Sequence, residues 1–202
     1  MITPLQSQWL SLCSQIQLDG ATHWPKIQSA YTTPNLAYHN LHHIADCLTK
    51  FATRRQEATN PIAVELAIWF HDIISDPRAS DNEEQSAQTA SSFLTTSQLA
   101  TTVSDLIIAT KHSDTPSSPD TQLLCDIDLS ILGSPPGSYQ KYAAAIRNEY
   151  SWVSNPDYTK GRTKVLQNFL TRPTIFSLET SRTLYETQAR QNIEAEINSL
   201  SS

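Results

Sequence analysis

Five of the six histidines of this chain are His39, His42, His43, His71 and His112, and three of them fall within five positions. Imidazole is the commonest metal ligand and the usual proton carrier near neutral pH, so such crowding points to a metal or acid–base site. In Tyr38-His39-Asn40-Leu41-His42-His43-Ile44-Ala45-Asp46, His39, His43 and Asp46 stand at i, i+4 and i+7, which on a helix is one face. A polar stripe of this kind ordinarily faces water. Two further signals weigh against that. His71-Asp72 follows the apolar run ending in Trp69-Phe70, where a carboxylate is costly unless paired or bound to a cation. Asp126-Ile127-Asp128-Leu129-Ser130 sets two acids beside Leu123, Leu124, Ile131 and Leu132; at i and i+2 they face different sides, so one of them points inward.

These residues need helices to hold them, and nearly every segment has a helical period with no convincing strand pattern. The fold class expected is all-α. Leu5, Trp9, Leu12 and Ile16 form one stripe after Pro4, and Trp24, Ile27, Ala30 and Tyr31 a shorter second one before Pro34 breaks the pattern. A third helix is expected from about Tyr38 to Phe51, and a nearly all-apolar fourth from Ile62 to Ile74, capped by Asn60-Pro61. Asp81 to Glu84 has the form of an acidic cap with glutamate at its third position, opening a fifth helix. After Thr95-Thr96-Ser97 a sixth runs to His112, Asp114 to Pro119 is a loop, and Leu123 to Leu132 is helical, closed by Gly133 and Pro135-Pro136. Two or three polar amphipathic helices fill about 138–200.

Composition removes several classes. The 202 residues suit a single domain, with 39% hydrophobic and 17% charged residues in a globular balance and no apolar run near the roughly 18 residues of a membrane span. A net charge of -6 opposes broad nucleic-acid or anionic-lipid binding. Four glycines are too few for a P-loop or a dinucleotide fingerprint. Cys13, Cys47 and Cys125, odd in number and far apart, suggest buried thiols in a reducing compartment. The N-terminal segment shows no basic region followed by an apolar stretch, so a cytoplasmic protein is expected.

A histidine on the third helix, a His-Asp pair after the fourth and an aspartate far downstream form an H...HD...D pattern, in which the chain resembles the HD superfamily of metal-dependent phosphohydrolases. Tyr38 to Asp46 also resembles the tyrosine-histidine-asparagine signature of cyclic nucleotide phosphodiesterases, and Asp128-Leu129-Ser130 their final aspartate motif. A narrower likeness, to a bacterial family of predicted HD phosphohydrolases of about this length, covers nearly the whole chain. It includes Asn82-Glu83-Glu84, Ala109-Thr110-Lys111-His112, Gly161-Arg162 and Glu186 with Ala189-Arg190-Gln191-Asn192. That family supplies no substrate, and the long C-terminal part with the nucleotide-clamping glutamine of the phosphodiesterases is lacking.

The resemblance implies one HD-type helical bundle over residues 1–202, with its core at about 36–133 and added C-terminal helices. It implies His39 as proton donor, and His43, His71, Asp72 and Asp128 as ligands of a divalent ion: manganese, iron, magnesium, nickel or zinc. Asp72 would also orient the attacking water, so His39 and Asp72 are the expected catalytic pair. The expected substrate is a small phosphorylated, nucleotide-like molecule, and a homodimer is compatible with this. Lys111 and Arg78 are candidates to neutralise phosphate charge. Glu83 and Glu84 could reach a water at the ion or serve as caps, and His112 could bind a second ion, touch substrate or sit against a helix dipole. Asp126 is expected to face away from the ion, toward backbone or solvent. The competing classes are a catalytically weak metal- or nucleotide-binding HD module and an HD-type iron oxygenase.

Overall fold

Thr3, whose hydroxyl accepts a hydrogen bond from the Gln6 amide, and Pro4 at the first helical position start α1 (Pro4–Gln15). Asp19 caps α2 (Gly20–Ala30) in the same manner. The computed structural model describes residues 3–94 and 97–201, Ser97 through its backbone alone. The first two residues of the N-terminal segment and the Thr95-Thr96 link lie outside these. Every regular element among the described residues is helical, so the fold is all-α.

The third helix starts later than its periodicity suggests. Asn40 is its cap, with Oδ1 accepting from the His42 amide at 2.8 Å, and α3 runs Leu41–Arg54. Tyr38 and His39 therefore stand in the turn before it. Next, Asn60 and Pro61 start α4 (Pro61–Phe70), in which every residue from Ala63 to Phe70 is buried. Each such large apolar side chain contributes roughly 1.5–3 kcal/mol. Even Glu65 is buried here, paired with Arg55 and Gln8. α4 ends at Phe70 rather than near Ile74, because the Ile74 amide and carbonyl are both taken by the Ser86 hydroxyl.

The next helix, α5 (Asn82–Phe93), lacks the reciprocal cap its sequence suggests. Asp81 makes no capping bond, its carboxylate accepting instead from Gln85 Nε2. α6 (Ser97–Ala109) stops three residues before His112, and Thr110, Lys111 and His112 unwind through i to i−3 bonds into a positive φ of 54° at His112. α7 (Pro119–Asp128) begins before Leu123 because Ser118 and Thr121 cap it reciprocally. A 3-10 turn over Leu129–Gly133 follows. The C-terminal part holds α8 (Pro136–Glu149), α9 (Asn155–Leu170), α10 (Glu179–Ser181), a π turn over Arg182–Glu186, and α11 (Thr187–Leu200).

Two apolar clusters result. The larger is built around α4, which packs on α3, α5, α6 and α7, and includes Trp9, Phe51, Trp69, Ile107 and Leu124. The smaller gathers Leu129, Leu132, Tyr139, Leu166, Phe176 and Ile193. α7 with its 3-10 extension belongs to both, so Asp128 stands where they meet. Among the described residues no helix is long and apolar enough to cross a membrane.

Candidate metal centre

His43 lies on the inward stripe of α3 with Cys47 and Phe51, and is 4% exposed. His71 follows the last turn of α4, where its Nδ1 sits 3.0 Å from the Ile68 carbonyl. That carbonyl can only accept, so Nδ1 carries the hydrogen and Nε2 turns its lone pair inward. Asp128 closes α7. These three elements bring His43, His71 and Asp128 together, with one ligand atom from each inside 4.8 Å of the others.

The spacings of His43, His71 and Asp128 are compatible with a shared cation, with Asp72 beside the two imidazoles. His43 Nε2 is 3.1 Å from His71 Nε2 and 3.2 Å from Asp128 Oδ1, and His71 Nε2 is 3.6 Å from the same oxygen. Asp72 Oδ2 approaches the two imidazoles at 3.3 and 3.1 Å. Ligands bound at about 2.1 Å to one ion are about 3.0 Å apart at octahedral right angles and about 3.4 Å apart at tetrahedral angles. Two imidazole nitrogens and carboxylate oxygens therefore fit a divalent cation in spacing and in chemistry. The two carboxylate side chains keep 22% and 18% of their surface, which leaves a way in from solvent.

Without a cation the cluster is held by protons. Burial opposes charge on His71, and the carboxylates of Asp72 and Asp128 outweigh it, so its pKa lies well above the ordinary imidazole value. Burial likewise opposes charge on His43 and is outweighed, by Cys47 and Tyr38 first and then by the same carboxylates. Both nitrogens face each other, so the pair as a whole, rather than each ring, is the proton acceptor. Burial pushes Asp72 and Asp128 up, and the surrounding imidazoles more than reverse this, holding both well below the usual carboxylate range.

His39 occupies the turn before α3, its ring centroid 6.1 Å from that of His43. Its Nδ1 is 2.7 Å from Glu149 Oε2, while Glu149 Oε1 accepts from the Tyr38 and His39 amides at 2.7 and 3.0 Å. Glu149 is 5% exposed. Burial opposes charge on His39, but Asp72 and Glu149 outweigh it and raise its pKa above the ordinary value. The result is a polarised imidazole beside the cluster, with Nδ1 bound and Nε2 left for chemistry. Nothing near position 149 marked it, since its partner is 110 residues away.

Other expected residues fall at varying distances from this core. His112 Nε2 is 2.8 Å from Asp128 Oδ2, the oxygen not shared with the imidazoles, so it orients that carboxylate. Asp126 turns away: its two oxygens accept from the Ser177 and Leu178 amides at 2.8 Å each, fastening the C-terminal part to α7. It acts as a clamp between these two segments. Asp46 is exposed and paired with Lys50, and His42 is exposed. Lys111 and the exposed Glu84 pair with each other at the surface. Glu83 has no hydrogen bond or ion pair to the cluster, and Arg78 lies over the Trp152 ring at 5.2 Å. No protein-family model, curated protein or solved structure matches this chain.

Proposed function

We propose that the protein is an HD-type metal-dependent phosphohydrolase acting on a small phosphoester. The observation that carries this is the pairing of two buried imidazoles and two partly exposed carboxylates with a separate histidine, His39, backed by the buried Glu149. A cluster that merely stored a metal would need no such partner.

His43, His71, Asp128 and, as fourth ligand, Asp72 would hold one divalent ion, among manganese, iron, magnesium, nickel and zinc. Bound there, the ion supplies Lewis acidity toward a phosphoryl oxygen and makes water more acidic. The chain's own residues do the rest. Asp72, partly exposed, orients the attacking water. His39 holds a proton on Nε2 because Glu149 fixes Nδ1 and favours the cation. The bond from phosphorus to the ester oxygen breaks, its electron pair stays on that oxygen, and His39 protonates it; the proton lost by water renews His39. Ester plus water thus gives alcohol plus phosphate. His112 keeps the Asp128 carboxylate in register. The three buried, unpaired cysteines support a reducing, cytoplasmic setting.

The test is metal analysis of protein purified without chelator, then assay of the metal-loaded protein against nucleotides and simple phosphoesters. About one ion per chain and hydrolysis of at least one ester are expected, with metal lost in a folded Asp72→Ala variant. Metal retained in that variant removes Asp72 from the ligand set. Metal bound with no ester hydrolysed favours a binding module instead.

A further inference from the structure

Beside the metal cluster lies a cleft of about 450 Å³, lined by His39, Tyr142, Tyr150, Tyr158, Gly161 and Val165 among others. Its volume falls within the roughly 300–1,000 Å³ of small-molecule sites. It is one ring removed from a ligand: Tyr142 packs on Tyr38 at 4.6 Å between centroids, and Tyr38 on His43 at 4.8 Å. Its side wall is apolar without being covered. Val165 is 47% exposed and lines the cleft together with the tyrosines. A Cβ placed on Gly161 would meet no atom within 4 Å, so the empty space extends to the α9 backbone itself.

Apart from His39, whose free Nε2 faces the ester to be cleaved, the charges around the cleft are already engaged. Arg162 gives two hydrogen bonds to Glu196, at 2.8 and 3.1 Å, and its remaining nitrogen faces the Tyr142 hydroxyl at 3.4 Å. Asp157 carries a negative charge at the start of α9 and accepts from the Ser154 hydroxyl. A second phosphate placed here would find no free arginine and would meet Asp157. An uncharged ring would find aromatic faces and an open apolar wall.

We propose that this cleft binds an uncharged, planar aromatic group of nucleobase size, carried on the leaving-group side of the ester that His39 protonates. Its assignment to the leaving group rests on the hydrolytic function proposed above; its affinity for the aromatic group does not. Esters with an aromatic, uncharged alcohol are then preferred over aliphatic ones, and polyphosphates extending into the cleft are disfavoured.

The experiment is calorimetric titration of the full-length protein with adenosine and, as control, ribose. Adenosine binds and ribose does not, and Gly161→Leu, which fills the open space while improving helix propensity, weakens adenosine at least tenfold with metal content unchanged. Val165→Glu, at an exposed position, weakens it as well and guards against a folding effect of the first variant. Ribose binding as well as adenosine, or adenosine affinity untouched in both variants, overturns the proposal. In parallel, benzyl and propyl phosphate, whose leaving alcohols have similar reactivity, are compared as substrates; a lower KM for the benzyl ester, lost in Gly161→Leu, is expected. Adenosine binding with neither ester hydrolysed upholds the aromatic site and counts against hydrolysis. Propyl phosphate hydrolysed with adenosine unbound overturns the aromatic site alone.

Discussion

Glu149 Oε2 lies 2.7 Å from His39 Nδ1, and the same carboxylate holds the amides of Tyr38 and His39 through its other oxygen. One buried acid thus fixes both the backbone and the tautomer of the proposed proton donor. Glu149→Gln keeps a carbonyl for the amides but removes the charge that favours the His39 cation. In a hydrolysis assay the alkaline limb of the pH–rate profile should move to lower pH, because the acid form of His39 is lost earlier. His39→Ala should keep its metal and lose roughly 10²–10⁴ in rate. A limb that stays in place in Glu149→Gln would reduce Glu149 to a backbone brace.

Metal and protons compete for the same nitrogens, so pH should act oppositely on the two forms of the protein. In the metal-free state the His43–His71 pair takes up its proton more readily than a free imidazole, and the stability this contributes is fully present below the unfolded imidazole value of about 6.5 and is lost as pH rises through the folded value of the pair. Asp72 and Asp128 are depressed, so their contribution is present above the unfolded carboxylate value of about 3.9 and disappears as pH falls through the folded values. Metal-free protein should be most stable in mildly acidic solution. Metal binding requires neutral imidazoles and releases protons, so affinity should climb with pH. Melting temperature measured against pH, with chelator and with excess manganese, gives curves of opposite slope above about pH 6.5 if this is right.

How far the site can be read without a structure depends on how local its determinants are. His43, His71 and Asp128 carry their signal in residue type and in the apolar runs beside them, and the fold brings them together. His39 and His43 share a helical spacing but not a helix, since the Asn40 side chain starts α3 one residue after itself. Asparagine is a strong cap, and weighing it against periodicity would have moved the boundary. Glu149 is different in kind. It ends an amphipathic helix whose other inward residues are Tyr139 and Ile146, and only tertiary packing turns it toward a turn 110 residues earlier. His112 was visible as a histidine, but its positive φ, which aims Nε2 at Asp128, was not.

Asp126 and Asp128 are two positions apart and should fail in different ways. Asp128→Ala removes a proposed ligand and the partner of His112, so metal affinity should fall with stability. Asp126→Ala leaves two part-buried amides without their acceptor and should cost roughly 1–3 kcal/mol, with metal affinity unchanged in the folded fraction. Denaturation and metal titration of both variants separate the two. Loss of metal in Asp126→Ala alone would exchange their roles.

Two glycines should respond to alanine with opposite sign. Gly133 ends the 3-10 turn after α7 against the π turn over Arg182–Glu186, and a Cβ there would stand 2.5 Å from Tyr185 Cβ and 2.6 Å from its carbonyl oxygen. Backbone cannot swing aside as a side-chain tip can, so Gly133→Ala must push the π turn away and should cost about 1–3 kcal/mol. That displacement would also strain the smaller apolar cluster, to which Leu132 and Tyr185 both belong. Gly161, inside α9, has open space where its Cβ would go, and alanine should stabilise the protein by up to about 1 kcal/mol through helix propensity. Urea denaturation of the two variants reads both effects in one assay. A destabilised Gly161→Ala would mean that the space beside Gly161, on which the proposed aromatic site rests, is not open.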